Sequence, residues 1–351
     1  MTAPLPFADE ARAVLGEALY RYMIGQPRDA GPDEGDRNAH DLTRYRLLPR
    51  VLTGAEGADV RLPLLGRHFA GPIAVGAYAG DRVFNEDGLM PIARVCQRIG
   101  LPLMVSEETV TPLAEITTAH DAAFLQLRAA GPVDRILGLL DTAADAKAMG
   151  LVLTVLAPVH PVPGLQPGGF SIGEELVRRG WSTIGSTGPG VSPLSAFPGW
   201  GWPDIATVCR AAAERNLPVL LKGVLHPDDA TKAESAGAAG IIASNIGLRQ
   251  SGRWAASARQ LPALRGETPL PLGLDGGVRN GTDLVVARCL GADFAVTVRP
   301  VITALVGGGE AALEAMLRGW LDEALAITSW LGAASLAELR PSHLVEDGGA
   351  R

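Results

Sequence analysis

The sequence predicts an α/β protein built as a (β/α)8 TIM barrel, and three observations carry that reading. Eight short apolar runs recur along the 351 residues, with helix-like segments between them. The runs do not alternate apolar with polar, which suits strands buried on both faces of a parallel sheet. They end in polar or glycine residues, as a barrel does where it presents a ligand site at the C-terminal ends of its strands. The stretch 218–283 shows this best: PVLLKGV, IIASNIGLRQ and LGLDGGVRNGTD follow one another. Eight such units in order favour a barrel over an open doubly wound sheet.

The expected elements run as follows. Residues 1–70 form an N-terminal extension packed on the barrel, helical over Asp9–Ile24 and loop-like and charged from Gln26 to Asp41. Residues 71–340 form the barrel. Its strands fall at Ile73–Ala77, Leu103–Ser106, Phe124–Leu127, Leu151–Val155, Val219–Lys222, Gly240–Ser244, Leu272–Asp275 and Phe294–Thr297. Helices fall at Leu89–Ile99, Val133–Met149, Ile205–Arg215, Asp228–Ala236 and Gly281–Leu290, with Pro227 suited to a first helical turn. A long segment rich in Gly and Pro, about 157–202, follows the fourth strand and reads as a lid over the barrel mouth. Ala311–Leu331 reads as an amphipathic helix stopped by Gly332, and 341–351 as a tail.

Composition bounds the function. A net charge of −7 disfavours nucleic-acid and anionic-membrane partners. No apolar run approaches the ~20 residues of a membrane span, and no secretory signal is visible. Cys96, Cys209 and Cys289 read as buried reduced thiols, which points to a cytoplasmic protein. Lysine occurs only at 147, 222 and 232, and with the Ala and Gly richness this suggests a GC-rich genome.

Lys222 stands out because a rare lysine ends an apolar strand. Its charge needs a partner at the barrel mouth: either an ion pair with Asp275, or an anionic ligand or reduced cofactor. Asp275-Gly276-Gly277 gives a strand-end turn with free amides, Arg279 follows it, and Arg299 lies one β/α unit later. That set points to a phosphate, which this fold commonly binds after strands seven and eight. His40, His68, His120 and His343 lack metal-site spacing, and no P-loop, zinc motif or Ser-His-Asp order is present.

With these motifs, the chain resembles the FMN-dependent α-hydroxy acid oxidases (glycolate oxidase, lactate oxidase, mandelate dehydrogenase) from about Tyr22 to Leu339. The resemblance implies FMN and a small-molecule substrate, with O2 as one electron acceptor and a homo-oligomer, tetramer or octamer, as the assembly. It implies that Ala77 and Ala79 line the flavin, and that Ser106, Gln126 and Thr154 touch its ring. Lys222 would sit near flavin N1 and O2. Asp275, Gly276, Gly277, Arg279 and Arg299 would hold the ribityl and phosphate groups. Val298 replaces a family glycine beside the phosphate, and Tyr78 replaces a small residue in the first strand's turn.

The substrate side departs from the family. Tyr22 and Arg249 are kept, Arg249 as the carboxylate-binding arginine. The catalytic histidine is Ile246, its orienting aspartate is Leu156, and the tyrosine that binds substrate oxygen is Arg128. A second substrate arginine aligns with about Pro163. The base and its orienting acid are lost together. The resemblance therefore implies an FMN oxidoreductase with a re-purposed substrate site, one that dehydrogenates, oxygenates or oxidatively decarboxylates a metabolite of specialised biosynthesis. Activity on glycolate, lactate and mandelate should be weak. A flavin-dependent isomerase and a non-catalytic FMN or ligand binder are the alternatives. His160 in the lid is the candidate replacement base. Glu107 and Glu108 follow the second strand, and Glu107 joins Tyr78, Arg128 and Ile246 as an expected pocket residue. Pairing of Arg128 with one of these glutamates is equally open. His226 serves a helix start, and Trp200 and Trp202 either pack the lid or line the pocket.

Overall fold

The computed structural model describes residues 3–25, 36–157, 170–191 and 199–347. Eight parallel strands close a barrel: β1 (Ile73–Val75), β2 (Leu103–Ser106), β3 (Ala123–Arg128), β4 (Gly150–Thr154), β5 (Val219–Lys222), β6 (Gly240–Ser244), β7 (Leu272–Asp275) and β8 (Phe294–Thr297). Each pairs with the next and β8 pairs with β1. Side chains alternate along the strands. Ala74, Met104, Phe124, Val152, Leu220, Ile242, Phe294 and Val296 fill the interior, while Ile73, Val75, Leu103, Val105, Leu125 and their equivalents pack outward on the helices. Each fully buried Leu, Ile or Phe contributes on the order of 1.5–3 kcal/mol.

β1 stops at Val75, two residues short of the expected end. A side chain at Gly76 would come within 2.6 Å of both Val296 and Val298, and its amide bonds the Thr297 carbonyl at 2.9 Å. The chain therefore leaves the sheet there and turns over the barrel mouth. The opposite end is closed by a hairpin, Leu62–Leu64 with Arg67–Phe69. Its turn residues Leu65 and Gly66 both have positive φ, as a tight two-residue turn demands. Leu62, Leu64 and Phe69 join the interior core.

The outer helices match the sequence reading closely. Pro227 opens the helix Pro227–Ser235, with His226 accepting from the Asp228 amide at 3.3 Å. Cys96, Cys209 and Cys289 are buried and unpaired. Three expectations need correction. The charged loop ends in a helix, Arg37–Leu42, capped by Asp36, whose Oδ1 accepts from the Asn38 amide at 3.1 Å. Residues 26–35 lie outside the described residues. The tail is tied down, because Leu344–Glu346 pairs antiparallel with Tyr45–Leu47. The C-terminal helix starts earlier, at Arg299, and runs to Trp330 with a kink at Gly309 (φ 78°). By length and composition it is the one helix among the described residues able to cross a membrane. Its Val301, Ile302, Leu305, Leu313 and Leu317 are buried inside this fold.

The lid contains a helix, Ile172–Arg179, capped by Ser171. His160 and Pro163 lie outside the described residues. Trp200 donates to the Gly131 carbonyl at 2.7 Å, and Trp202 opens a helix. Both are packing residues, and neither lines the cavity at the barrel mouth.

Candidate active site

The C-terminal strand ends converge on one cavity of about 330 Å³. Parallel register sets neighbouring polar groups side by side: Ser106 with Gln126, Arg128 with Thr154, Thr154 with Lys222, and Ser244 with Asp275. Gln126 Nε2 donates to Thr154 Oγ1 at 3.0 Å. Lys222 Nζ lies 3.1 Å from Asp275 Oδ2. The Ser244 hydroxyl donates to the same oxygen at 2.6 Å and accepts from the Ile246 amide at 3.0 Å. One polar chain thus links the lysine to the backbone at position 246. The expected ion pair exists, and it exists inside the cavity rather than instead of a ligand site.

At one end of the cavity, Arg279 and Arg299 share the Asp36 carboxylate. Arg299 also donates to the Gly247 carbonyl at 3.0 Å. The arginines lower the Asp36 pKa in spite of its burial, which acts the other way. The turn beneath requires glycine: Gly277 has φ 92°, and a Cβ there would meet the Asn38 carbonyl group at 2.5 Å. Asn38 is held by reciprocal amide bonds with Asn245, 2.8 and 2.7 Å. Helix Arg37–Leu42 is thereby clamped between the β6 and β7 ends.

The same cavity is lined by Tyr22, Glu108, Arg128, Leu156, Ile246 and Arg249. The Arg249 guanidinium sits 5.0 Å from the Tyr22 ring centroid and donates to the Met23 carbonyl at 3.3 Å. Among the described residues no carboxylate pairs with it. Gly25 leaves room for it, since a Cβ there would lie 2.8 Å from the guanidinium carbon. The N-terminal helix is therefore a wall of the site. Ile246, Gly247 and Leu248 all have positive φ (47°, 68°, 60°), which is strained for a β-branched isoleucine.

The chain matches the model of the FMN-dependent dehydrogenase family over residues 11–346. The chain belongs to that family. It is 32% identical over 313 residues to an L-lactate oxidase of Alicycliphilus denitrificans, covering 84% of this chain and 83% of the relative. It is 28% identical to a 4-hydroxymandelate oxidase of Amycolatopsis orientalis, over 94% of each. A solved mandelate oxidase variant with a C4a-OH-FMN adduct superposes with TM-score 0.82 at 26% identity, covering 98% of this chain and 99% of that one. This family member is accordingly an FMN-dependent oxidoreductase of the hydroxy acid oxidase type with a TIM barrel.

The residues present fit FMN. Every expected cofactor residue lines the one cavity: Ala77, Ala79, Ser106, Gln126, Thr154, Lys222, Asp275, Gly276, Gly277, Arg279, Val298 and Arg299. Two guanidiniums already hold an anionic oxygen between them, and the buried Thr297 hydroxyl in the same wall has no hydrogen-bond partner among the described residues. Tyr78, Arg128 and Ile246 also line it, as expected.

Glu107 does not line the cavity and is a correction. It is buried below the cavity, where it accepts from the Arg128 amide at 2.7 Å and Nε at 3.1 Å, and pairs with Arg135. Glu108 takes the pocket position instead, 2.8 Å from Arg128 Nη2. Asp36 and Asn38 gave no sequence signal, because their partners lie more than 200 residues away.

Proposed function

We propose that this enzyme oxidises a small carboxylate other than a simple 2-hydroxy acid. When bound, FMN supplies the two-electron acceptor. Arg249, a buried cation without an acid partner among the described residues, binds the carboxylate as a planar fork. Lys222, in the cavity wall beside Gln126 and Thr154, would supply the positive charge that stabilises an anionic reduced flavin. Tyr22 stacks beneath the arginine and fixes its direction.

One observation carries the reading. The cavity wall holds Ile246 and Leu156, the positions to which the resemblance assigns the family's base and its orienting acid, and no histidine among the described residues lines it. An alkane side chain takes no proton, and general-base help is worth roughly 10²–10⁴-fold. O2 as the acceptor, a cytoplasmic location, a homo-oligomer and a role in specialised biosynthesis belong to the same proposal. The test is anaerobic mixing of the FMN-loaded protein with glycolate, lactate and mandelate, followed by flavin absorption. Bleaching at least about 10²-fold slower than in a lactate oxidase is expected. Comparable rates would sink the proposal.

A further inference from the structure

Three carboxylates line the cavity, and two are engaged. Asp36 is shared by Arg279 and Arg299, and Asp275 by Lys222 and Ser244. Glu108 differs. Among the described residues it pairs with Arg128 Nη2 alone, at 2.8 Å, and that nitrogen makes no directed hydrogen bond. The rest of Arg128 serves Glu107. The Glu108 side chain is mostly buried and lines the cavity, so its remaining acceptor capacity is open to a ligand there. It lines the same cavity as Tyr22, Arg128 and Arg249. One cavity therefore holds, among the described residues, a guanidinium with no acid partner and a carboxylate with a single ion-pair partner.

We infer that the substrate is an amino carboxylate, with its carboxylate on Arg249 and its amine nitrogen on Glu108, oxidised at the carbon bearing nitrogen. The inference rests on the oxidoreductase reading above and names its substrate class. It also accounts for the lost base. A hydroxyl holds its proton far above physiological pH, so its oxidation needs a strong base poised at the oxygen. An ammonium gives up its proton near pH 8–10. Glu108 attracts the ammonium and accepts that proton, leaving a neutral amine. The nitrogen lone pair then forms the C=N bond as the adjacent C–H bond breaks, and its hydrogen and two electrons pass to the flavin. Water adds to the released imine, giving a 2-oxo acid and ammonia. Desolvation raises the Glu108 pKa and Arg128 opposes it, which suits a carboxylate that takes and returns a proton.

The test uses the FMN-loaded full chain under anaerobic conditions. Both enantiomers of aliphatic and aromatic 2-amino acids, and their matched 2-hydroxy acids, are titrated. Two signals are read: the change in the oxidised flavin spectrum on binding, which gives affinity, and bleaching, which gives reduction. Amino acids should bind and bleach, with one ammonia released per flavin reduced. Glu108→Gln should weaken amino-acid affinity by at least about tenfold, while the affinity for the matched 2-hydroxy acid shifts less than twofold. Glu108→Asp, which keeps the charge, should fall between. Equal weakening of both classes, or FMN-loaded protein whose spectrum no amino acid alters, overturns the inference alone. Protein that takes up no FMN overturns the oxidoreductase reading with it.

Discussion

The Asp36 carboxylate stands between two guanidiniums, 3.1 Å from Arg299 Nη1 and in contact with Arg279. The same residue caps helix Arg37–Leu42 through its other oxygen. A cofactor phosphate entering this cradle meets a carboxylate already there. Asp36→Asn keeps the capping oxygen and removes the charge. FMN binding, followed by quenching of free flavin fluorescence, should tighten by about five- to thirty-fold, the weight of one charge-assisted hydrogen bond of ~1–2 kcal/mol. Unchanged or weaker binding would show that Asp36 helps to build the phosphate site rather than competing for it.

Glu107 is the pillar under the substrate side. It is fully buried and ties Arg128 to Arg135. Glu107→Ala leaves Arg135 without its acid and Arg128 with Glu108 alone, and removing one partner of a buried pair costs on the order of 3–5 kcal/mol. Urea denaturation should show a loss of that size. A loss below about 1 kcal/mol would mean that water replaces the carboxylate at no great cost.

These residues show what the sequence made legible. The strands were readable because runs buried on both faces leave a continuous apolar signature, and Lys222 and Asp275-Gly276-Gly277 because polar or glycine residues interrupt such runs. Arg37–Leu42 was read as loop because six polar-rich residues carry little periodicity. It is a helix because Asp36 caps it and Asn38 locks it to Asn245 across the fold. The choice between Glu107 and Glu108 turned on Arg135, a residue on a neighbouring helix that no local pattern connects to them.

Burial raises the Asp283 pKa to about 6, against hydrogen bonds from the Arg279 and Asn280 backbone region. The folded protein therefore holds this proton more tightly than the unfolded chain does. Its contribution to stability is complete below about pH 4 and is lost as pH rises through about 6. Asp283→Asn retains an acceptor for the Arg279 amide, now bonded at 2.7 Å. The variant should match wild type at pH 4 and exceed it at pH 7 by roughly 2–3 kcal/mol. Denaturation curves at the two pH values check this, and a gap that narrows with rising pH would reverse the assignment.

Ile246 and Leu156 line the same cavity as Arg249, so the lost acid–base pair can be rebuilt. The backbone at 246 is already left-handed (φ 47°), a region histidine enters more readily than a β-branched residue. It is anchored by its amide bond to Ser244 Oγ, which no side-chain change at 246 disturbs. Ile246→His should therefore fold without loss of stability and place an imidazole in the cavity. On its own the ring has no acid to fix its tautomer; adding Leu156→Asp supplies one. The double variant should oxidise lactate or mandelate about 10²–10⁴-fold faster than the parent, with the single histidine variant in between. Anaerobic flavin bleaching measures this. A double variant that binds FMN normally but gains less than tenfold would show that Arg128 and Glu108, rather than the missing base, exclude hydroxy acids.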